Sequence, residues 1–333
     1  MWLSTLIGAL AWLSPAQAQP VLTITDTLWG ATGAEDVTID LTRGLAFVSS
    51  DDRRATMAGK PAPGNIYLCD LNESPPRLRP LLDPPPPDFH PHGIGFGRFG
   101  DKAYLHVVNH RKAGKHFIEI FEWDGSRLVH LRSVSSPVIH SPNDVYPTGP
   151  TSFFVSNDHG SKTMLGRGLE NVFRLKRANL VHFDGNNANV VADKIAYANG
   201  VCLAPQNDAL YVASVFGKCV YEYKLKMGIP NYFRKIDLGT GCDNIEADEQ
   251  GRLYVVGHTR VMKFVGHVMS AKNRSPWDLW RVTPGAVPQK QRLYASDGGE
   301  LSGASVAAVW RSTVVIGSVF EPHLLIGRLQ FDD

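Results

Sequence analysis

One pattern recurs six times along this chain, and a unit recurring at tens of residues dictates a repeat architecture before any single residue is weighed. The segments are EDVTIDLTRGLAFVSS from Glu35, HGIGFGRFGDKAYLHVVNH from His92, NDVYPTGPTSFFVSNDH from Asn143, NGVCLAPQNDALYVASV from Asn199, DNIEADEQGRLYVVGH from Asp243 and GASVAAVWRSTVVIGSV from Gly303. Each opens on polar or glycine residues, alternates apolar side chains, turns, and alternates again. Period-two alternation bounded by Gly, Asp, Asn or Pro is the signature of a β-hairpin. The starts fall 44 to 60 residues apart, enough for a four-stranded sheet per period, which is a propeller blade. Further strand-like runs at Asn65–Leu71, Phe117–Trp123 and Val220–Leu225 supply outer strands. The expected fold is all-β, a six-bladed β-propeller with a central tunnel. The prolines at 84–87 cannot pair in a sheet and predict a loop, while residues 162–177 predict a short basic amphipathic helix on a rim.

In a propeller the first strand of each blade lies nearest the axis, so the repeat starts converge on one mouth of the tunnel. Glu35, His92, Asn143, Asn199 and the pair Asp243 and Asn244 stand at those starts. Calcium takes six to eight oxygen ligands, commonly carboxylates, amide oxygens, backbone carbonyls and water. Glu35, Asn143, Asn199, Asp243 and Asn244 offer five side-chain oxygens and two negative charges, and leave room for a substrate oxygen at a Lewis-acidic ion. Taken singly, Asn-Gly and Asp-Asn read as ordinary turn chemistry; repeated at equivalent places they favour a metal.

Lys and Arg number 34 against 32 Asp and Glu, a formal charge of +2. With no long single-sign run, nucleic acid is excluded as a partner. At the N-terminus an apolar run from Leu3 to Leu13 precedes small residues at Ala16 and Ala18. That is a signal-peptide pattern over residues 1–19 with cleavage near Ala18, too short to span a bilayer, and it places the protein outside the cell or in the periplasm. Residues 20–333 then form one catalytic propeller domain. The cysteines, Cys69, Cys202, Cys219 and Cys242, are too few for a disulfide framework and have no zinc spacing.

From about Gly33 to Leu329 the same segments, with HPHGIGF, SPNDVYPTGPTSFFVSNDH and YANGVCLAP among them, resemble the paraoxonase/arylesterase family block by block and in order. The resemblance implies a calcium-dependent hydrolase of aryl esters or lactones with two calcium ions in its tunnel. It implies a catalytic ion held by Glu35, Asn143, Asn199, Asp243 and Asn244, and a deeper structural ion held by Asp36, Asp144 and the backbone carbonyl of Ile94. His92 and His110 match the family's general base and its supporting partner, and His258 matches a third histidine near the pocket. Tyr197, Val319 and Phe320 fall in pocket-lining stretches. The chemistry of the histidine pair stands without the analogy, because imidazole titrates near neutrality and can take a proton from an attacking water.

The sequence also departs from the family. Ile326 stands near one position of the animal members' terminal disulfide and no cysteine lies near the N-terminus, so ring closure must rest on strand pairing. The lid-forming, membrane-associating region is shorter around residues 160–179, which speaks against lipoprotein or membrane association; the partner expected is a small ester or lactone. The alternatives are a regucalcin-like sugar lactonase with one metal, and a strictosidine-synthase-like or non-catalytic binding propeller.

Overall fold

A computed structural model of the chain describes residues 21–111, 114–204 and 208–330; the expected signal peptide lies outside them. The described residues form six four-stranded antiparallel sheets, as the repeat predicts. The first blade is β2 (Asp36–Asp40), β3 (Leu45–Ser50), β4 (Asn65–Asp70) and β5 (Leu78–Pro80). The second is β6 (Pro91–Phe99), β7 (Lys102–Arg111), β8 (Lys115–Trp123) and β9 (Leu128–Val134). The third is β10 (Pro142–Pro147), β11 (Phe153–Asn157), β12 (Ala178–Phe183) and β13 (Ala188–Ile195), and the fourth β14 (Ala198–Leu203), β15 (Ala209–Ser214), β16 (Cys219–Lys226) and β17 (Ile229–Asp237). β18 (Gly241–Ala247), β19 (Leu253–His258), β20 (Trp277–Thr283) and β21 (Gln289–Ser296) make the fifth.

The sixth blade is assembled from both ends of the described chain. β22 (Ala304–Trp310), β23 (Thr313–Ser318) and β24 (His323–Gln330) are completed by β1 (Val21–Trp29), which pairs with β24 from Val21 opposite Gln330 to Trp29 opposite His323. Leu22 and Leu28 of β1 are buried beneath this pairing. No cysteine shares in the closure, since all four are free and buried. Strand pairing does the work expected of it.

First strands pack against one another round the ring, β2 on β6, β6 on β10, and so on to β22 on β2. In β2, β10, β14 and β22 the residues are almost wholly buried, because each side of the strand meets a neighbouring blade or the tunnel. Apolar residues one step out fill the wedges between blades. Phe47 and Ile66 of the first blade pack with Leu105, Phe121 and Trp123 of the second, Phe47 meeting Trp123 edge to face at 5.3 Å. Burying each such side chain is worth about 1.5–3 kcal/mol.

Residues 84–87 are a loop, as the prolines require. Three short helices interrupt the blades: α1 (Arg53–Met57), α2 (Met164–Phe173) and α3 (Val261–Met269). α2 is the core of the expected helix, capped by the Thr163 hydroxyl, which accepts from the amide of Gly166. α1 and α3 carry no sequence expectation. No helix among the described residues is long and apolar enough to cross a membrane.

Candidate metal and catalytic site

Five of the six repeat starts are distorted in the same way, while the hairpin of β2 and β3 beside Glu35 keeps an unbroken register. The register of the first hairpin slips between Pro91 and Ile94, Pro142 and Val145, Ala198 and Val201, Cys242 and Ile245, and Ala304 and Val306. Those slips enclose His92, Asn143 with Asp144, Asn199, and Asp243 with Asn244. A bulge releases the strand from its ladder and re-aims the side chains within it, here toward the axis. The dipeptides that read as turns are therefore inside strands. Their glycines serve close approach: a Cβ on Gly200 would stand 2.6 Å from the amide nitrogen of Ile245 and 2.8 Å from Cα of Asn244.

Glu35, Asn143, Asn199, Asp243 and Asn244 are all buried. Glu35 Oε2, Asn143 Oδ1, Asn199 Oδ1 and Asn244 Oδ1 have no hydrogen-bond partner among the described residues. One orphaned oxygen is a defect; four at equivalent strand starts form a cradle, because leaving each unpaired costs about 1–3 kcal/mol. Two of the three amide nitrogens are spoken for. Asn244 donates to Glu35 Oε1 at 3.1 Å, and Asn199 donates to Asp243 Oδ1. Among the described residues no three His, Cys, Asp or Glu side chains converge to hold a metal. The donor set is instead two carboxylates and three amides, oxygen only, and it fits a hard cation such as calcium.

Burial alone would lift the Glu35 carboxyl, but His92 and Arg53 facing it hold it below its usual value. Arg53, from α1, lies 3.9 Å from Glu35 Oε2 and His92 Nε2 lies 3.5 Å from Oε1. Asp243 is pushed up by burial, and its Oδ2 is 2.8 Å from His258 Nε2. The His258 ring stacks on Phe264 of α3 at 3.7 Å.

Deeper along the same strands, Asp36 accepts from the amides of Val37 and Ile94 at 2.9 and 2.7 Å, and Asp144 from those of Val145 and Val201 at 2.7 and 2.6 Å. Both carboxyls are driven well above the usual range by burial and then by a neighbouring carboxylate, Glu35 for Asp36 and Asp36 for Asp144. Glu246 joins this group, raised by burial and by Asp36. Sequence reasoning missed it, although it lies two residues beyond Asn244 on the same face of β18.

His92 and His110, which the family resemblance pairs, lie together, with Nδ1 of His92 2.7 Å from Nε2 of His110. Burial keeps His110 neutral, well below the usual imidazole value. His92 opens onto a cavity of about 370 Å³ that also exposes Glu35, Asn143, Asn199, Asp243 and His258. The expected Tyr197, Val319 and Phe320 line it, as do Asn171 of α2 and Val261, Phe264 and Val265 of α3. The helices thus roof the mouth. Tyr197 is held at φ 63°, uncommon for a bulky residue, with its ring edge-on to His159 and Phe216.

Comparison with known proteins agrees with the fold and shows the family. The arylesterase family model matches residues 27–326. Human serum paraoxonase/arylesterase 2 is 31% identical over 305 residues, covering 88% of this chain and 85% of its own length. Human serum paraoxonase/arylesterase 1 and serum paraoxonase/lactonase 3 are 30% and 31% identical with the same coverage. Among solved structures, the calcium-binding protein regucalcin from Agrobacterium tumefaciens superposes with a TM-score of 0.54 at 14% identity, covering 95% of this chain and 94% of its own. A luciferin-regenerating enzyme superposes at 0.57 and 12%, covering 94% and 95%. These two speak for the propeller fold alone. The family match runs from β1 into β24 and the identity extends over most of the length, so the chain is an enzyme of the arylesterase family.

Proposed function

We propose that this esterase/lactonase is calcium-dependent, acts on aryl esters and lactones, and uses His92 as its general base with His110 behind it. The observation that carries the reading is the set of four orphaned buried oxygens at the repeat starts. Glu35, Asn143, Asn199, Asp243 and Asn244 would hold one ion, and Asp36, Asp144 and the carbonyl of Ile94 a second, deeper one. An ion held by the upper residues would supply Lewis acidity toward an ester carbonyl. The remaining work falls to the chain. His92, opening on the cavity, removes the proton of the attacking water. His110, neutral and buried, fixes the His92 ring. Val319, Phe320 and Phe264 exclude bulk water and seat the aryl or alkyl part of the substrate. Those apolar walls favour such substrates over the polyhydroxylated ones of a sugar lactonase.

The test is turnover of phenyl acetate and of a lactone, with metal content measured alongside. Chelation is expected to remove calcium and activity together. His92→Gln is expected to keep the metal and lower kcat on the lactone by about 10²–10⁴-fold, the usual worth of general-base catalysis. Full activity in metal-free protein would end the calcium reading. Full lactone turnover in His92→Gln would remove His92 from the mechanism.

A further inference from the structure

The histidine pair does not end at His110. In the hairpin of β7 and β8, His110 stands directly opposite His116, where side chains on one face of a sheet meet. Their Nδ1 atoms are 2.8 Å apart. The three rings therefore form a continuous chain, His92 to His110 to His116, with successive centroids 4.9 Å apart and successive rings near perpendicular. One end opens on the site cavity through His92. The other opens on a separate cleft of about 820 Å³ outside the blade, lined by His116, His140, Lys162 and Arg167.

A neutral imidazole carries one N–H and one bare nitrogen. His110 uses both nitrogens in this chain, so it must donate at one contact and accept at the other. The three protons are therefore oriented together, in one of two senses. If His116 accepts from His110, then His110 accepts from His92 Nδ1–H, and His92 presents a bare Nε2 to the cavity. If His116 donates, the sense reverses and His92 presents N–H, which cannot act as a base. The Glu35 carboxylate, 3.5 Å from His92 Nε2, would by itself draw an N–H there; Arg53, 3.9 Å from Glu35, and a cation held by that carboxylate would offset its charge and favour a lone pair pointing into the cavity. At the outer end His116 Nε2 has no hydrogen-bond partner among the described residues, and the cleft lets water serve either sense.

We infer that His116 is a positioning residue for hydrolysis: by accepting from His110 Nδ1–H it holds His92 in the tautomer whose Nε2 is free to take a proton. This rests on the reading of His92 as the general base. Burial, reinforced by Arg167, lowers the His116 pKa and keeps the ring a neutral acceptor, while Asp158 acts in the opposite direction. The sequence hides the residue, because His116 lies six positions past His110, beyond a hairpin turn, in no recognisable motif.

The experiment compares His116→Leu, which has no acceptor, with His116→Asp, which can only accept. His92→Gln serves as the control for the parent reading. His116→Leu is expected to lower kcat on a lactone about tenfold, the scale of one orienting hydrogen bond, with KM and the calcium-induced rise in melting temperature unchanged. His116→Asp is expected to keep the wild-type kcat or exceed it. Nitrogen NMR of histidine-labelled protein should find His92 protonated at Nδ1 in the wild type and in His116→Asp, and a tautomer mixture in His116→Leu. Wild-type kcat in His116→Leu while His92→Gln is impaired would overturn this inference and leave the parent reading standing. Equal losses in the Leu and Asp variants, or His92 protonated at Nε2 in the wild type, would also overturn it. A fully active His92→Gln enzyme would overturn both.

Discussion

Replacing Asn143 by leucine separates a metal ligand from an ordinary buried amide, because the effect should change sign with calcium. Asn143 is 3% exposed, and its Oδ1 has no partner among the described residues. Without calcium that oxygen is a liability worth about 1–3 kcal/mol, and leucine, of similar length, removes it. Unfolding entropy of about 2.1 cal/mol/K per residue gives ~0.7 kcal/mol/K for a chain of this length, so Asn143→Leu should melt about 1.5–4 °C higher than the wild type in chelator. In millimolar calcium the order should invert. Losing one ligand and placing a methyl group in the cradle is expected to weaken affinity about a thousandfold, or about 4.1 kcal/mol, which exceeds the gain made without calcium and leaves the variant melting about 1.5–4 °C below the wild type. Paired thermal melts of both proteins, in chelator and in calcium, decide the matter. A shift of the same sign in both buffers would show that Asn143 Oδ1 faces no cation site, and the cradle would lose its warrant.

Gly200→Ala should weaken calcium binding without touching a ligand, because the new methyl would press on Asn244 and Ile245; calcium titration by calorimetry is the check, and unchanged affinity would count against the close-approach argument. Reductant should leave the melting temperature unchanged, since all four cysteines are free; a large drop would reveal a bridge. His106 is fully buried and burial lowers its pKa to about 4, whereas in the unfolded chain it titrates near about 6.5. Between those values only the unfolded state takes up the proton, so stability should fall as the pH drops from about 6.5 to about 4, by roughly 3 kcal/mol from this group. His106→Phe should flatten that part of a urea-denaturation pH profile, and an unchanged slope would assign it to other groups.

The blades were legible because period-two alternation survives in every repeat, and the ligand residues because the same polar types head the same strands. What the site does with its dipeptides was not legible. Asn199-Gly200 and Asp243-Asn244 have the composition of turns, and only the register slips show that they sit inside strands. A bulge shifts the alternation by one residue, and in strands this short the slip cannot be told from the turn that the same dipeptide would make. α3 was missed because VMKFVGHVM is apolar enough to pass for another strand, and its partner Phe320 is far away in sequence. Arg53 and Glu246 enter the site through burial and neighbouring charge, which no local pattern encodes.

The way the sixth blade is built governs how the molecule folds. The hydrogen bond from the Thr25 hydroxyl to the carbonyl of Ile326 joins residues 301 apart, so the ring closes only when nearly the whole chain has been made. Until then β24 presents a bare edge and β1 is an unattached strand that fits it. Nothing in that pairing distinguishes the β1 of the same molecule from that of a neighbour. Dilution therefore favours self-closure, and crowding during refolding favours strand exchange, with two rings each completed by the other's first strand.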